Sequence, residues 1–260
     1  MSLLSFWKNK DITEDIRVMT YATTIRWIGW GFVEALIPIF LLAFTQNYAE
    51  TGWLKSSYDI AYLIAAPIVG ALTDKLSARI IIFIGLAMYP FIGLSYYLAG
   101  VFGMIGFVIL ARILNGIGYA FDGIGRETYI RRHVSQEKTS TIFGYFDAVT
   151  TFWWILAVLS SIFLIKYFSI YQIFLAIIPT TLIAIFMMRK IHHHNPTKLG
   201  DGFKNLLKEN IIATTIKEFK TWSGGLRVMA LVTFWMGVMA VIAGFILPLG
   251  SGTKAENCRK

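Results

Sequence analysis

Residues 80–98 read IIIFIGLAMYPFIGLSYYL, an apolar run without a single charged side chain. The hydrocarbon core of a bilayer is about 30 Å thick and takes roughly 20 apolar residues of α-helix to cross. Lipid cannot satisfy backbone polar groups, so a spanning segment is either a helix or a strand of a closed barrel. The run lacks the alternating pattern of barrel strands. It therefore predicts a transmembrane helix.

Six similar runs predict that the chain crosses a membrane seven times. The seven ranges are 27–45, 53–72, 80–98, 101–121, 142–165, 167–188 and 228–249. The whole chain of 260 residues is 56% hydrophobic and 15% charged, whereas a soluble domain carries roughly 25% charge. This composition excludes a disordered or ordinary water-soluble chain, and the single cysteine, Cys258, excludes a disulfide scaffold.

Most basic residues behind the net charge of +9 lie in the loops on the same side of the membrane as the N-terminus. The loops on the other side hold only Lys55 and Lys166 up to the sixth run. Because basic loops face the cytoplasm, we expect a multi-pass protein of the cytoplasmic membrane with a cytoplasmic N-terminus, in contact with lipid and not nucleic acid. The basic residues on the N-terminal side are Lys8, Lys10, Arg17, Lys75, Arg79, Arg126, Arg131, Arg132, Lys138, Arg189, Lys190, Lys198, Lys204, Lys208, Lys217 and Lys220.

Ionisable residues inside the runs repeat with a period of three helices. The first, second, fourth and fifth runs carry them, whereas the third and sixth carry none. This order predicts two three-helix units related as inverted repeats. A charge in a bilayer is costly unless it faces a wet or protein-lined interior. We therefore expect the four charged helices to line a cavity and the third and sixth to lie outside it.

Helical spacing selects the side chains expected to meet in that cavity. Arg26, Trp30 and Glu34, for example, are four residues apart and share one face. The alternatives are that the charges only pair locally between helices and that the aromatic side chains only pack. The predicted substrate- or proton-binding residues are Glu34, Asp59, Arg112, Asn115, Asp147, Trp30, Tyr62, Tyr119 and Trp154.

Two stretches carry a resemblance to the major facilitator superfamily. Residues 70–79, GALTDKLSAR, resemble its loop signature G-x-L-x-D-R-x-G-R-[RK], although Ser77 and Ala78 depart from it. The matching loop residues, with lysine keeping the charge, are Gly70, Leu72, Asp74, Lys75 and Arg79. In the family this loop is cytoplasmic and latches the two halves, so the resemblance implies a conformational role for it.

The fourth run resembles a second signature of the family, L-x-x-R-x-x-Q-G-x-G-A. Arg112, Gly116 and Gly118 match, and Asn115 stands in place of glutamine. The resemblance implies that Arg112 takes part in proton coupling, whereas packing alone is the favoured interpretation of the glycines. A third signature, rich in glycine and proline in the fifth span of drug–proton antiporters, is absent from residues 147–164, which argues against export.

The resemblance implies an all-α polytopic protein that begins with a six-helix bundle. We expect the N-terminal half at 1–190, a cytoplasmic linker with an amphipathic helix at 191–225, and a seventh helix with a short tail at 226–260. The last segment would begin a truncated C-terminal half, whose remainder is a possible partner. The implied function is secondary active transport of a small molecule by alternating access, coupled to protons.

Rival functions remain open at this stage. A membrane scaffold without transport activity and a truncated, inactive transporter half are the main alternatives, and a seven-span receptor is a weaker one. A retinal protein is disfavoured because residues 228–249 contain no lysine. The chain lacks a phosphate-binding G-x-x-x-x-G-K-[ST] loop, and the adjacent His192, His193 and His194 lack the spacing of a zinc site. We therefore expect no enzyme activity, no metal and no cofactor.

Overall fold

A computed structural model describes residues 12–45 and 47–191, together with the isolated positions Gly224, Val228, Val232 and Trp235. The predicted linker, the histidine run and most of the predicted seventh span lie outside the described residues, as does the segment 1–11. The domain boundaries in that region therefore stay predictions.

Helices make up the regular structure of the described residues, and no strand occurs among them. The elements are α1 (Glu14–Glu34), α2 (Ile37–Leu42), α3 (Tyr48–Lys75), α4 (Ala78–Phe102), α5 (Ile105–His133), α6 (Gln136–Leu164), α7 (Ile170–Ile173), a 3₁₀ turn (Phe174–Ala176) and α8 (Ile177–Met188). The prediction of an all-α fold is confirmed.

Five helical units are long and apolar enough to cross a membrane: α3, α4, α5, α6 and the continuous unit from α7 to α8. They correspond to the predicted second to sixth spans. The predicted first span is formed by α1 and α2, and α1 carries charged residues within it, at Arg26, and at its C-terminal end, at Glu34. The chain is thus a polytopic helical membrane protein.

Polar caps fix helix ends that hydropathy does not reveal. The side chain of Thr13 accepts a hydrogen bond from the backbone of Ile16 at the start of α1. Asn47 does the same for Glu50 at the start of α3, and such caps satisfy backbone N–H groups that a helix leaves unpaired. The helix of the first span therefore begins at Glu14, thirteen residues before the apolar run predicted at 27–45.

The pairing of the helices has the symmetry expected of two repeated units. α1 packs on α6 and on the α7–α8 unit, whereas α5 packs on α3 and on α4. If the first, second and third spans are matched to the fourth, fifth and sixth, the contact of α1 with α6 corresponds to that of α5 with α3. The contact of α1 with the α7–α8 unit then corresponds to that of α5 with α4. The contact of α4 with α8 maps onto itself. This is the pattern that a pseudo-twofold axis between two three-helix units produces.

Glycines allow the central helices to approach each other closely. A Cβ atom added to Gly116 of α5 would lie 2.3 Å from the carbonyl oxygen of Tyr58 in α3. One added to Gly85 of α4 would lie 2.5 Å from the backbone nitrogen of Asp122 in α5. Both distances are far below van der Waals contact, so the interfaces of α5 require glycine there. The packing interpretation of Gly116 is confirmed.

The third span is central, contrary to the expectation that it lies outside the cavity. α4 packs on both α5 and α8, and it is more buried than α3 or α6. Its Tyr89 side chain is buried and lines the cavity described below. The lack of charged residues in α4 therefore does not place it at the periphery, because apolar and small side chains can pack at the centre of a bundle as well as face lipid.

Candidate functional site

A cavity of about 520 Å³ lies inside the bundle, between the first five spans. Its wall is mostly aromatic and charged, with one amide side chain. The lining residues are Arg26, Trp27, Trp30, Glu34, Ile37, Pro38, Lys55, Tyr58, Asp59, Tyr89, Arg112, Asn115, Tyr119 and Trp154.

Two acidic side chains, Glu34 and Asp59, mark what we call the carboxylate end of the cavity. Glu34, the last residue of α1, accepts a hydrogen bond from the indole of Trp30 one turn earlier. Asp59 projects from α3 and is about half-buried. Both carboxylates interact electrostatically with Arg112 and Lys55. Two acidic and two basic side chains thus lie at one end of the cavity.

Arg112 is anchored at this carboxylate end by α3. Its side chain is buried in α5 and donates a hydrogen bond to the backbone carbonyl of Lys55. Its guanidinium carbon also lies 5.0 Å from the centre of the Tyr58 ring, within range of a cation–π interaction. The backbone contact fixes the guanidinium close to both carboxylates without forming a direct ion pair with either among the described contacts.

The opposite part of the cavity, which we call the arginine end, is marked by Arg26. Arg26 and Glu34 are two turns apart on α1, or about 12 Å along the helix axis. The guanidinium of Arg26 lies 3.0 Å from a carboxylate oxygen of Asp122 in α5, and that of Arg126 lies 2.9 Å from the same oxygen. All three side chains are almost fully buried. One carboxylate therefore serves two arginines.

Aromatic rings form much of the cavity wall. Trp27 and Trp154 meet edge to face with their centroids 6.1 Å apart, and Trp30 meets Tyr89 in the same way at 6.3 Å. Tyr119 lies 6.1 Å from Tyr58. Flat, rigid side chains of this kind provide large apolar contact surfaces while keeping polar groups at their edges.

The structure brings seven of the nine predicted site residues to one cavity. These are Trp30, Glu34, Asp59, Arg112, Asn115, Tyr119 and Trp154. Tyr62 is not among the lining residues, and instead packs its ring 5.5 Å from that of Tyr119. Tyr58, one turn earlier on α3, lines the cavity in its place.

Asp147 is also absent from the cavity wall, and its side chain is exposed on the outside of the described bundle. The residue before it, Phe146, contacts the Arg126 guanidinium at 5.6 Å. Asp147 therefore lies at the level of Arg126, beyond the arginine end, whereas Trp154 reaches the cavity two turns further along α6.

Several lining residues were missed by the sequence interpretation, notably Trp27, Tyr58 and Tyr89. Arg26 was placed on the face of Trp30 and Glu34 but was not counted as a site residue. Its position on that face was the signal that it belonged to the same cavity.

The signature loop forms a separate polar cluster at the turn between α3 and α4. Arg132, in the last turn of α5, donates a hydrogen bond to the Thr73 carbonyl at 2.7 Å and lies 3.6 Å from the Asp74 carboxylate. Arg79 donates to the carbonyl of Arg189 at the end of α8. Ser77 caps α4 with a φ of −67°, so this turn does not need the glycine of the family signature.

Metal binding finds no support in this part of the molecule. Among residues 12–45 and 47–191, no three histidine, cysteine, aspartate or glutamate side chains converge closely enough to hold an ion.

Comparison with known proteins identifies the family. The family model of the Major Facilitator Superfamily matches residues 19–253, which is most of the chain. The chain belongs to the major facilitator superfamily, a family of membrane transporters.

Two curated relatives share part of the chain. The Quinolone resistance protein NorA of Staphylococcus aureus is 23% identical over 138 residues, covering 53% of this chain and 35% of the relative. The Multidrug resistance protein 1 of Bacillus subtilis is 26% identical over 141 residues, covering 54% of this chain and 35% of the relative. The aligned part of the chain spans about a third of the length of these relatives.

Proposed function

We propose that this chain is a proton-coupled secondary transporter that moves a small molecule by alternating access, and that the described bundle lines its transport path. In this proposal the cavity holds a small molecule, and the carboxylate end holds the coupling proton. The protein lies in the cytoplasmic membrane with its N-terminus in the cytoplasm, an orientation that the distribution of basic loop residues favours. The observation that carries the proposal is the cavity itself, which gathers two carboxylates, an anchored arginine and six aromatic rings.

Glu34 is the proposed proton carrier. Its carboxylate is held by Trp30 and lies in the field of Arg112, at the very point where α1 ends. Protonation removes the attraction between Glu34 and Arg112, so the protonated and ionised states favour different positions of the first and fourth spans. Such a difference is what a coupling site needs, because a ligand shifts a conformational equilibrium only through its unequal interaction with the two states.

The proposed substrate is an amphipathic aromatic molecule. The wall offers indole and phenol rings to a flat apolar body, and charged groups at both ends to polar substituents. The names of the two relatives, which refer to quinolone and multidrug resistance, support the same class of compound.

The test is pH-driven flux through the full 260-residue chain reconstituted in liposomes. A fluorescent quinolone serves as the probe, and a dye inside the liposomes reports the internal pH. We expect an imposed pH gradient to drive transport of the probe, and we expect the internal dye to report proton movement at the same time. Flux no greater than in empty liposomes would contradict the proposal and favour a scaffold or an inactive transporter half.

The residue assignment is tested by Glu34→Gln, which keeps an oxygen that can accept the Trp30 hydrogen bond. We expect it to abolish gradient-driven flux while leaving downhill exchange of the probe. The matched control is Glu127→Gln on α5, whose carboxylate is exposed and 3.8 Å from Arg131. Equal pH coupling in the wild type and Glu34→Gln would show that Glu34 does not carry the proton.

A further inference from the structure

We infer that the arginine end of the cavity is a subsite for a carboxylate or similar oxyanion, and that the transported molecule therefore carries such a group. Arg26 would form the ion pair, and the indole and phenol groups of Trp27, Tyr89 and Trp154 would supply neutral hydrogen bonds. The inference rests on the proposed function and adds the charge of the substrate to it.

The first support is an uncompensated positive charge. Arg26, Asp122 and Arg126 are 3%, 1% and 6% exposed, and the two guanidinium groups share a single carboxylate. The three side chains carry a formal net charge of +1 at a depth where a lone ion is costly. A ligand with one negative charge would balance this group.

The second support is a shortage of acceptors. Among the described residues, the cavity-lining side chains with a buried polar atom that lacks a hydrogen-bond partner are Arg26, Trp27, Tyr89, Arg112 and Trp154. The unpaired atoms of the arginines and tryptophans can only donate, and the tyrosine hydroxyl can also donate. A ligand that satisfies them must bring acceptor oxygens.

Four of these five side chains, all except Arg112, lie at the arginine end. The Arg26 guanidinium carbon lies 4.6 Å from the centre of the Tyr89 ring and 5.4 Å from that of Trp27. Trp154 touches Trp27 edge to face. These contacts place the four side chains next to one another around one end of the cavity. Their donor atoms are covered in this conformation, so side-chain rotation must accompany binding of an oxyanion.

The other end of the cavity does not suit an anion. Arg112 already donates to the Lys55 carbonyl and lies beside the carboxylates of Glu34 and Asp59. A substrate carboxylate there would be repelled by both acidic groups. The charges therefore orient the substrate, with its anionic group toward Arg26 and any basic group toward Glu34 and Asp59.

The test compares two probes of similar shape, one an anionic carboxylate and the other a neutral amide. Binding of 1-naphthaleneacetate and of 1-naphthaleneacetamide to the full chain in lipid nanodiscs is measured by calorimetry. We expect the carboxylate to bind at least about tenfold more tightly, because a hydrogen-bonded charge is worth more than its neutral counterpart.

The variants locate the preference. Arg26→Gln leaves Asp122 paired with Arg126, and we expect it to make the two probes bind equally. Tyr89→Phe keeps the ring, and we expect a loss of about three- to tenfold for the carboxylate but not for the amide, the value of one hydrogen bond. Arg131→Gln, an exposed change on α5, is the control and keeps the wild-type preference.

The outcomes separate the two proposals. Equal binding of both probes by the wild type would overturn the oxyanion subsite and leave the cavity as a substrate site. A carboxylate preference that survives both Arg26→Gln and Tyr89→Phe would also overturn it. Binding of neither probe would count against the subsite and the proposed substrate class together. Should Arg26→Gln fail to fold, Tyr89→Phe alone decides.

Discussion

Two ion pairs that involve an arginine of α5 use the same chemical groups in opposite surroundings. Arg126 and Asp122 lie 2.9 Å apart and are 6% and 1% exposed, whereas Arg132 and Asp74 lie 3.6 Å apart and are 42% and 79% exposed. The buried pair shares its carboxylate with Arg26 from α1. The exposed pair is supported by a hydrogen bond to the Thr73 carbonyl.

The difference teaches that burial, and not the identity of the partners, decides what an ion pair does. An exposed pair is screened by water and salt and contributes little to stability. A buried pair brings little net gain either, but loss of one partner leaves a charge with no solvent and no counter-charge. We therefore expect the arginine end to tolerate change poorly and the signature loop to tolerate it well.

The largest effect is expected from Asp122→Asn. The substitution keeps the side-chain shape but leaves Arg26 and Arg126 buried without a counter-charge, at a cost of about 3–5 kcal/mol. The measurement is the thermal unfolding midpoint of the purified chain in detergent, together with the yield of monodisperse protein. An unchanged midpoint would show that the two guanidinium groups are compensated in another way.

Two glycine substitutions on α5 compare a closely packed position with one that has free space around it, without changing any charge. Gly116→Ala places a methyl group against the Tyr58 carbonyl, and we expect it to destabilise the bundle by about 1–3 kcal/mol through overpacking. Gly123→Ala is the matched control, because nothing lies within 4 Å of an added Cβ. It should stabilise the helix by about 0.5–1 kcal/mol. Equal unfolding midpoints for the two variants would contradict the close contact of α3 with α5.

A double variant sharpens the account of the buried charges. Adding Arg126→Gln to Asp122→Asn removes one of the two stranded cations, so we expect about 1–2 kcal/mol of stability to return. The same unfolding measurement on the two single variants and the double variant completes the cycle. Strictly additive losses would mean that Arg126 and Asp122 do not interact.

The smallest effect is expected from Asp74→Asn in the signature loop. The exposed pair with Arg132 is worth about 0–1 kcal/mol, and less at high salt. Unfolding midpoints at low and high ionic strength would measure it. A loss as large as that of Asp122→Asn would remove the distinction between the two pairs.

Much of the fold follows from sequence because the bilayer simplifies the problem. Long apolar runs such as 80–98 have one stable backbone solution in lipid, so the existence of the helices was predictable. Their ends were less so. α5 continues for a further twelve residues beyond 121 because its polar last turns, including Arg131 and Arg132, lie on a helix that hydropathy alone does not follow.

The candidate site was only partly predictable, for a geometric reason. Spacing along one helix shows which residues share a face, as it did for Trp30 and Glu34, but not which part of that face borders the cavity. Tyr62 packs against Tyr119 and does not line the cavity, and the Asp147 side chain is exposed on the outside of the described bundle. The pairing of Asp122 with Arg126 follows from their spacing on α5, but its contact with Arg26 depends on how α1 and α5 pack against each other, which no single-helix pattern contains.

The break in the first span has a mechanical consequence. α1 ends at Glu34 and α2 begins at Ile37, and Pro38 has no N–H group to offer the carbonyl of Glu34 four residues earlier. The first span is thus interrupted between α1 and α2 and is not one continuous helix. A bend of the first span therefore costs least just after Glu34, because one backbone hydrogen bond is missing there, whereas Arg26 is held to α5 by its ion pair with Asp122.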